Sequence, residues 1–273
     1  MKIPSATTIP KLLLNVNNRE KLEDLFVYFQ TVPFVEYKDA KDKRLCYHSS
    51  SLAEKQFDHQ SKQDPLGIIK QANILSLRVY PDGLRQDSSN QNPIHPWNFG
   101  IQLVALNYQH NDQQMTLSYG KFMDNGGCGY ILKPKYLIDI DKTLFNPLNY
   151  ITKPYYLSEH INETPLCLIL TIISGQFLPR SNQSTTDIPD PYVVISTHGI
   201  TCDQQTYKTK TIDNNGFDPE WNQTFQFNIY FPQMCLIRFD VYDYDKFTKD
   251  DRLACFCLPV TTIQTGFFFV LFN

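Results

Sequence analysis

Near its midpoint the chain changes rhythm, and the change points to two dissimilar architectures in tandem. In the first part, short apolar runs alternate with polar, helix-compatible stretches: Leu25–Phe29, Ile74–Tyr80, Ile101–Asn107 and Tyr130–Lys133 read as strands, and Leu52–Gln63 as a helix-compatible segment. Such alternation builds βα units around a parallel sheet. In the second part, strands at Leu166–Ile173, Tyr192–Thr197, Thr206–Thr211, Thr224–Tyr230, Leu236–Tyr242, Ala254–Pro259 and Phe267–Leu271 follow one another closely, with Gly, Asn, Asp and Pro between them. That spacing is expected of an antiparallel sandwich. Asn146-Pro147, Lys153-Pro154 and Thr164-Pro165 interrupt the apolar pattern and place the boundary around Asp139 to Pro165.

The two parts also differ in charge. Within a net charge of −3, residues 1–161 carry +2 and residues 162–273 carry −5, so partners of different chemistry are expected. No apolar stretch near Met1 is longer than Leu12-Leu13-Leu14, and the longest run, Phe267–Phe272, is far shorter than a bilayer span. The expectation is a soluble, cytoplasmic protein. Seven cysteines, an odd number without C-x-x-C spacing, suggest neither a disulfide framework nor a zinc site.

Two constellations carry chemistry. Arg78 and Tyr80 end an apolar run just before Pro81-Asp82-Gly83. Two residues apart on a strand, they point the same way, and a βα barrel keeps its function at the carboxyl ends of its strands. An arginine fork can hold a phosphate while the aromatic face packs on a ring. The alternative is that Arg78 pairs with a neighbouring carboxylate and Tyr80 fills the rim. The run Ser49-Ser50-Ser51 reads by itself as a helix N-cap. The six histidines show no metal-ligand spacing, and Asn125–Gly129 lacks the Lys-Ser/Thr of a phosphate loop and reads as a tight turn feeding a last strand.

The second constellation is acidic. Asp187 and Asp190 precede Pro191-Tyr192-Val193, and Asp243, Asp245, Asp250 and Asp251 follow the Leu236–Tyr242 strand. Carboxylates drawn from two neighbouring loops at one end of a sandwich make the oxygen-rich environment that calcium prefers, and they repel one another without a cation. A solvated acidic loop is the alternative.

Longer motifs surround both. The run from Arg78 to Asn90, Asn92-Pro93, Trp97-Asn98, Leu103–Gln109 and Gly120–Pro134 resemble the Y-box of eukaryotic phosphoinositide-specific phospholipase C. Asp190-Pro191-Tyr192-Val193, Asn214–Asn222 and Asp243-Tyr244-Asp245 resemble the C2 domain that follows it in that family, with the delta and zeta branch most similar. The resemblance implies an α/β plus all-β fold. Residues 1–21 would be a linker remnant, 22–138 the second half of a TIM (β/α)8 barrel, 139–165 a linker, and 166–273 an antiparallel C2-type β-sandwich lacking its last strand. Half a barrel leaves open sheet edges and an uncovered interior.

By the same resemblance, Ser51 and Arg78 bind phosphate groups and Tyr80 stacks on the inositol. Asp190, Asp243, Asp245 and Asp251 are calcium ligands. Asp187 is a further candidate, in a loop where Ser184 stands in place of another aspartate. The implied activity is hydrolysis of phosphatidylinositol 4,5-bisphosphate to diacylglycerol and inositol trisphosphate. The implied cofactor is calcium, and the partners are a phosphoinositide and an anionic membrane surface bound peripherally, not a nucleic acid. The family's two histidines and its Asn, Glu and Asp calcium ligands for the reaction belong to an X-box with no counterpart here. No catalytic residue is therefore expected in this chain, and a separate X-box half is an expected partner. The competing expectation is a non-catalytic, calcium-dependent phospholipid-binding adaptor. Trp221 is expected to anchor the sandwich core.

Overall fold

In the computed structural model, residues 30–150, 165–180 and 188–266 are described. The first unit rests on a four-stranded parallel sheet in the order β1 (Gln30–Thr31), β2 (His48–Ala53), β3 (Ser76–Tyr80), β4 (Leu103–Val104). Parallel neighbours require crossover connections. These contain α1 (Tyr37–Ala40) between β1 and β2, α2 (Glu54–Gln63) and α3 (Pro65–Ile74) between β2 and β3, and α4 (Ile94–Asn98) between β3 and β4, and α5 (Gln113–Phe122) follows β4. Helix α3 starts where its sequence dictates: Pro65 opens it, and the Asp64 carboxylate accepts the Gly67 N–H at 2.9 Å.

Strand alternation gives the sheet two unlike faces. Leu52, Leu77 and Val79 are buried in one core with Phe57, Ile68, Ile69 and Ala72. Each of the larger of these side chains contributes about 1.5–3 kcal/mol by leaving water. Ser51, Arg78 and Tyr80, at the intervening positions, fall on the other face, where Arg78 and Tyr80 are exposed.

Three expectations change here. His48–Ala53 is a strand, and the helix begins only at Glu54 with Ala53 as its N-cap, so Ser51 is not a helix cap. The buried positions of this strand are His48, Ser50 and Leu52, of which only Leu52 carries the apolar signature of β structure. The Ile101–Asn107 expectation contracts to Leu103–Val104. Tyr130–Lys133 is not a strand: it has no ladder partner among the described residues, and Tyr130 and Leu132 are 81% and 88% exposed. The turn before it is real, with Gly126, Gly127 and Gly129 all at positive φ. The Leu25–Phe29 expectation lies outside the described residues.

Residues 139–150, read above as the start of a linker, are packed. The short helices α6 (Lys135–Ile138) and α7 (Ile140–Thr143) lead to Phe145, and Leu137, Ile140 and Phe145 belong to the same core as the parallel sheet.

The second unit is antiparallel throughout. β5 (Leu166–Ser174) pairs with β8 (Glu220–Ile229), and a second sheet runs β10 (Asp251–Pro259), β9 (Leu236–Asp243), β6 (Pro191–His198), β7 (Thr206–Lys208). Val193, Ile195, Phe239 and Val241 meet Trp221, Phe227 and Ile229 between the sheets. Trp221 is 3% exposed, as expected of a core anchor. The Phe267–Leu271 expectation lies outside the described residues.

The units share apolar surface. Ile200, Phe231 and Met234 of the sandwich join the core of the parallel-sheet unit. Buried Asp203 fixes that joint, its carboxylate accepting the N–H groups of Tyr230 at 2.7 Å and Phe231 at 2.8 Å. Asn98 Nδ2 donates to the Gly199 carbonyl, and Thr261 Oγ1 donates to Asp124.

Candidate functional site

Ser51 is registered opposite Arg78, and Ala53 opposite Tyr80, on neighbouring parallel strands. Registered residues of paired strands share a face. The structure thus brings Ser51, Arg78 and Tyr80 together on the open side of the sheet near its carboxyl edge. The Arg78 guanidinium lies 5.7 Å from the Tyr80 ring centroid, a cation–π contact. The Arg78 guanidinium makes no hydrogen bond or ion pair among the described residues, which leaves its fork available to an anion. The alternative pairing of Arg78 with a carboxylate is not seen among the described residues.

The loops beyond this edge are held by polar groups. Gln91 is buried and its Nε2 donates to the carbonyls of Val79 and Ala105, bridging the ends of β3 and β4. Asn90 donates from its backbone and side chain to the Asp112 carboxylate, and its Oδ1 accepts the Asn107 N–H. Asp112 also caps α5 by accepting the Met115 N–H. Together these bonds hold the Asp112 carboxyl below the ordinary carboxylate range against the opposing effect of burial.

Three histidines are engaged elsewhere, and His110 Nε2 lies 3.9 Å from Asp112 in the loops just described. His48 Nδ1 accepts the Leu45 N–H. His95 packs edge-on against Phe57 and Phe99, with Nε2 3.4 Å from Asp58, and burial lowers its pKa. His198 bonds Ser196 in the sandwich.

At one end of the sandwich, Asp190, Asp243, Asp245, Asp250 and Asp251 come close together. Asp243 Oδ1 accepts the Asp190 N–H at 2.7 Å, and Asp190 Oδ1 accepts the Asn214 N–H at 2.5 Å. Asp251 is registered opposite Asp243 across β9 and β10. Asp250 joins the loop ends: Oδ1 accepts the Asp245 N–H at 3.1 Å, and Oδ2 accepts from the Tyr192 hydroxyl. Lys208 Nζ sits 3.3 Å from the Tyr192 ring centroid. The donors are all oxygens, which suits a hard cation. Their side chains do not converge: among the described residues, no group of three or more His, Cys, Asp or Glu side chains is placed to hold a metal ion. Asp187 lies outside the described residues.

Comparison with known proteins matches both parts of the chain to domain families. Residues 22–136 match the model for "Phosphatidylinositol-specific phospholipase C, Y domain", and residues 166–268 match the C2 domain. The chain carries a phospholipase C Y domain followed by a C2 domain. It is 35% identical over 249 residues to 1-phosphatidylinositol 4,5-bisphosphate phosphodiesterase delta-4 of Xenopus laevis, covering 91% of this chain and 32% of that protein. To the zeta-1 phosphodiesterase of Sus scrofa it is 36% identical, covering 90% of this chain and 37% of that protein. The crystal structure of L. pealei PLC21 superposes with a TM-score of 0.72 at 32% identity, covering 86% of this chain and 28% of that one. The chain therefore spans about a third of the length of these relatives.

The Y domain supplies the open face with Ser51, Arg78 and Tyr80, and the C2 domain supplies the acidic tip. Among the described residues, no helix is long and apolar enough to cross a membrane. Sequence reasoning placed Asp250 in the acidic cluster but gave it no task, and it gave none to Tyr192; the structure joins the two through the Tyr192 hydroxyl.

Proposed function

We propose that this chain is the headgroup-binding part of a phosphoinositide phospholipase C: the second half of a (β/α)8 barrel joined to a C2 domain that carries it onto anionic membranes. The observation that supports this most is the register of Ser51 with Arg78 beside an exposed Tyr80. A hydroxyl, an uncommitted guanidinium and an aromatic face on one surface match a phosphorylated inositol ring, with Ser51 and Arg78 taking phosphate and Tyr80 packing on the ring. The shared core of the two domains carries the open face and the acidic tip on one body.

Hydrolysis of a phosphodiester needs a general base and acid at the phosphorus. His48, His95 and His198 are engaged elsewhere; an X-box half supplies the acid and base, and this chain is the binding module. Calcium binds at the C2 tip through Asp190, Asp243 and Asp245, with Asp251 and Asp187 as further ligands. There it offsets the mutual repulsion of these carboxylates and admits anionic headgroups. Because Asp190 and Asp243 already accept backbone N–H groups, this binding requires the loops to rearrange.

The test is a hydrolysis assay on phosphatidylinositol 4,5-bisphosphate vesicles with calcium. The chain alone is expected to bind them without turnover; measurable turnover would overturn the assignment of the catalytic groups to another segment.

A further inference from the structure

The motif around the open face contains two arginines, Arg78 and Arg85, and the structure gives them different tasks. Arg85 uses all three of its nitrogens on protein partners. Its Nε donates to Glu54 Oε2 at 2.8 Å, its Nη2 to Glu54 Oε1 at 2.6 Å, and its Nη1 to Ser89 Oγ at 2.9 Å. This is a two-toothed carboxylate fork, the geometry in which an arginine gains most. Side-chain exposures of 30% for Arg85 and 20% for Glu54 keep much of the pair away from solvent screening.

The location of this fork matters. Glu54 is the first residue after β2, the strand of Ser51, and Arg85 lies in the loop that leaves β3, the strand of Arg78 and Tyr80. The Asp82 N–H also reaches Glu54 Oε2, at 3.4 Å, and the Arg85 N–H closes a turn onto the Asp82 carbonyl at 3.0 Å. The loop after Tyr80 is therefore tied to the end of the neighbouring strand, directly beyond the registered pair Ala53 and Tyr80. Asn90 and Gln91 hold the far end of the same loop.

We infer that Glu54 and Arg85 form a latch that positions Ser51, Arg78 and Tyr80 for an inositol phosphate, with Arg85 withheld from the ligand. The inference rests on the headgroup-binding reading above. Glu54 and Arg85 act through the strands they join and are positioning residues, not ligands of the headgroup. Without the latch, the loop after β3 keeps only the Lys55–Asp82 ion pair to the end of β2, and the three groups hold their spacing less firmly.

Calorimetric titration of inositol trisphosphate into the full 273-residue chain tests this. Glu54→Gln and Arg85→Met are each expected to weaken binding by about fivefold to tenfold, a loss of preorganisation rather than of a ligand contact. The inverted pair, Glu54→Arg with Arg85→Glu, is expected to restore most of it. Lys55→Gln, which breaks the single-contact Lys55–Asp82 ion pair at 3.0 Å, whose lysine is 69% exposed, is expected to leave affinity unchanged. The Nε–Hε resonance of Arg78 in each single variant reports the displacement even where stability also falls. Unchanged affinity and an unmoved Arg78 resonance in both single variants would overturn the latch while leaving headgroup binding intact. Absence of binding by the wild-type chain would overturn the headgroup reading, and the latch with it.

Discussion

Gly120 of α5 lies directly against Cys257 of β10. A methyl group built on Gly120 would stand 2.5 Å from the Cys257 sulfur and 2.9 Å from its carbonyl carbon. Glycine within a helix costs about 1 kcal/mol relative to alanine, and here it allows a helix of the Y domain to lie on the outer face of a C2 sheet. Ile94 and Leu117 thereby reach Leu236 and Cys257 in one buried cluster. Gly120→Ala is expected to destabilise the chain by about 1–3 kcal/mol despite the better helix former. A lower urea midpoint checks this, and a higher one would show that the close approach is absent.

Lys133 carries a testable titration. Its Nζ donates to the Ala72 carbonyl and to Asn73 Oδ1, each at 2.9 Å, at the carboxyl end of α3, where a cation is favoured. Burial nevertheless lowers its pKa to about 8 from 10.5. Between these values the unfolded chain holds the proton and the folded chain releases it, so stability is expected to rise as pH increases from about 8 to 10.5. The slope should diminish in Lys133→Met when the two chains are compared by denaturation across that range. A Lys133 side-chain resonance titrating near the ordinary lysine value would contradict it.

The rhythm of the sequence was enough for the parallel and antiparallel units, because hydrophobic period and turn chemistry act locally. It failed where partners decide. Ser49, Ser50 and Ser51 become strand residues only because β1 and β3 flank them, and Tyr130–Lys133, apolar enough for a strand, has no neighbour to pair with among the described residues. Ile140 and Phe145 sit in a stretch broken by proline, yet the C2 residue Phe231 draws them into a shared core. Arg78 and Tyr80 were legible from their alternation. The distinction between Arg78 and Arg85 was not, since it depends on which carboxylate lies within reach.

The acidic tip gives a third prediction. Asp243→Asn combined with Asp245→Asn is expected to abolish calcium-dependent sedimentation with phosphatidylserine vesicles. Calcium affinity of the unaltered chain should be modest, because bonds from the Asp190 and Asn214 N–H groups must yield first. Calcium-dependent vesicle binding that survives the double substitution would assign the cation to other ligands.

The central claim is that one open sheet face recognises a phosphorylated inositol through Arg78. The most direct measurement is calorimetric titration of inositol trisphosphate into the chain and into its Arg78→Ala variant, with folding verified by circular dichroism. The unaltered chain is expected to bind saturably with one site, and the variant to lose affinity by about tenfold or more, the scale of a charge-assisted fork to phosphate. Equal affinities in two equally folded proteins would contradict the account.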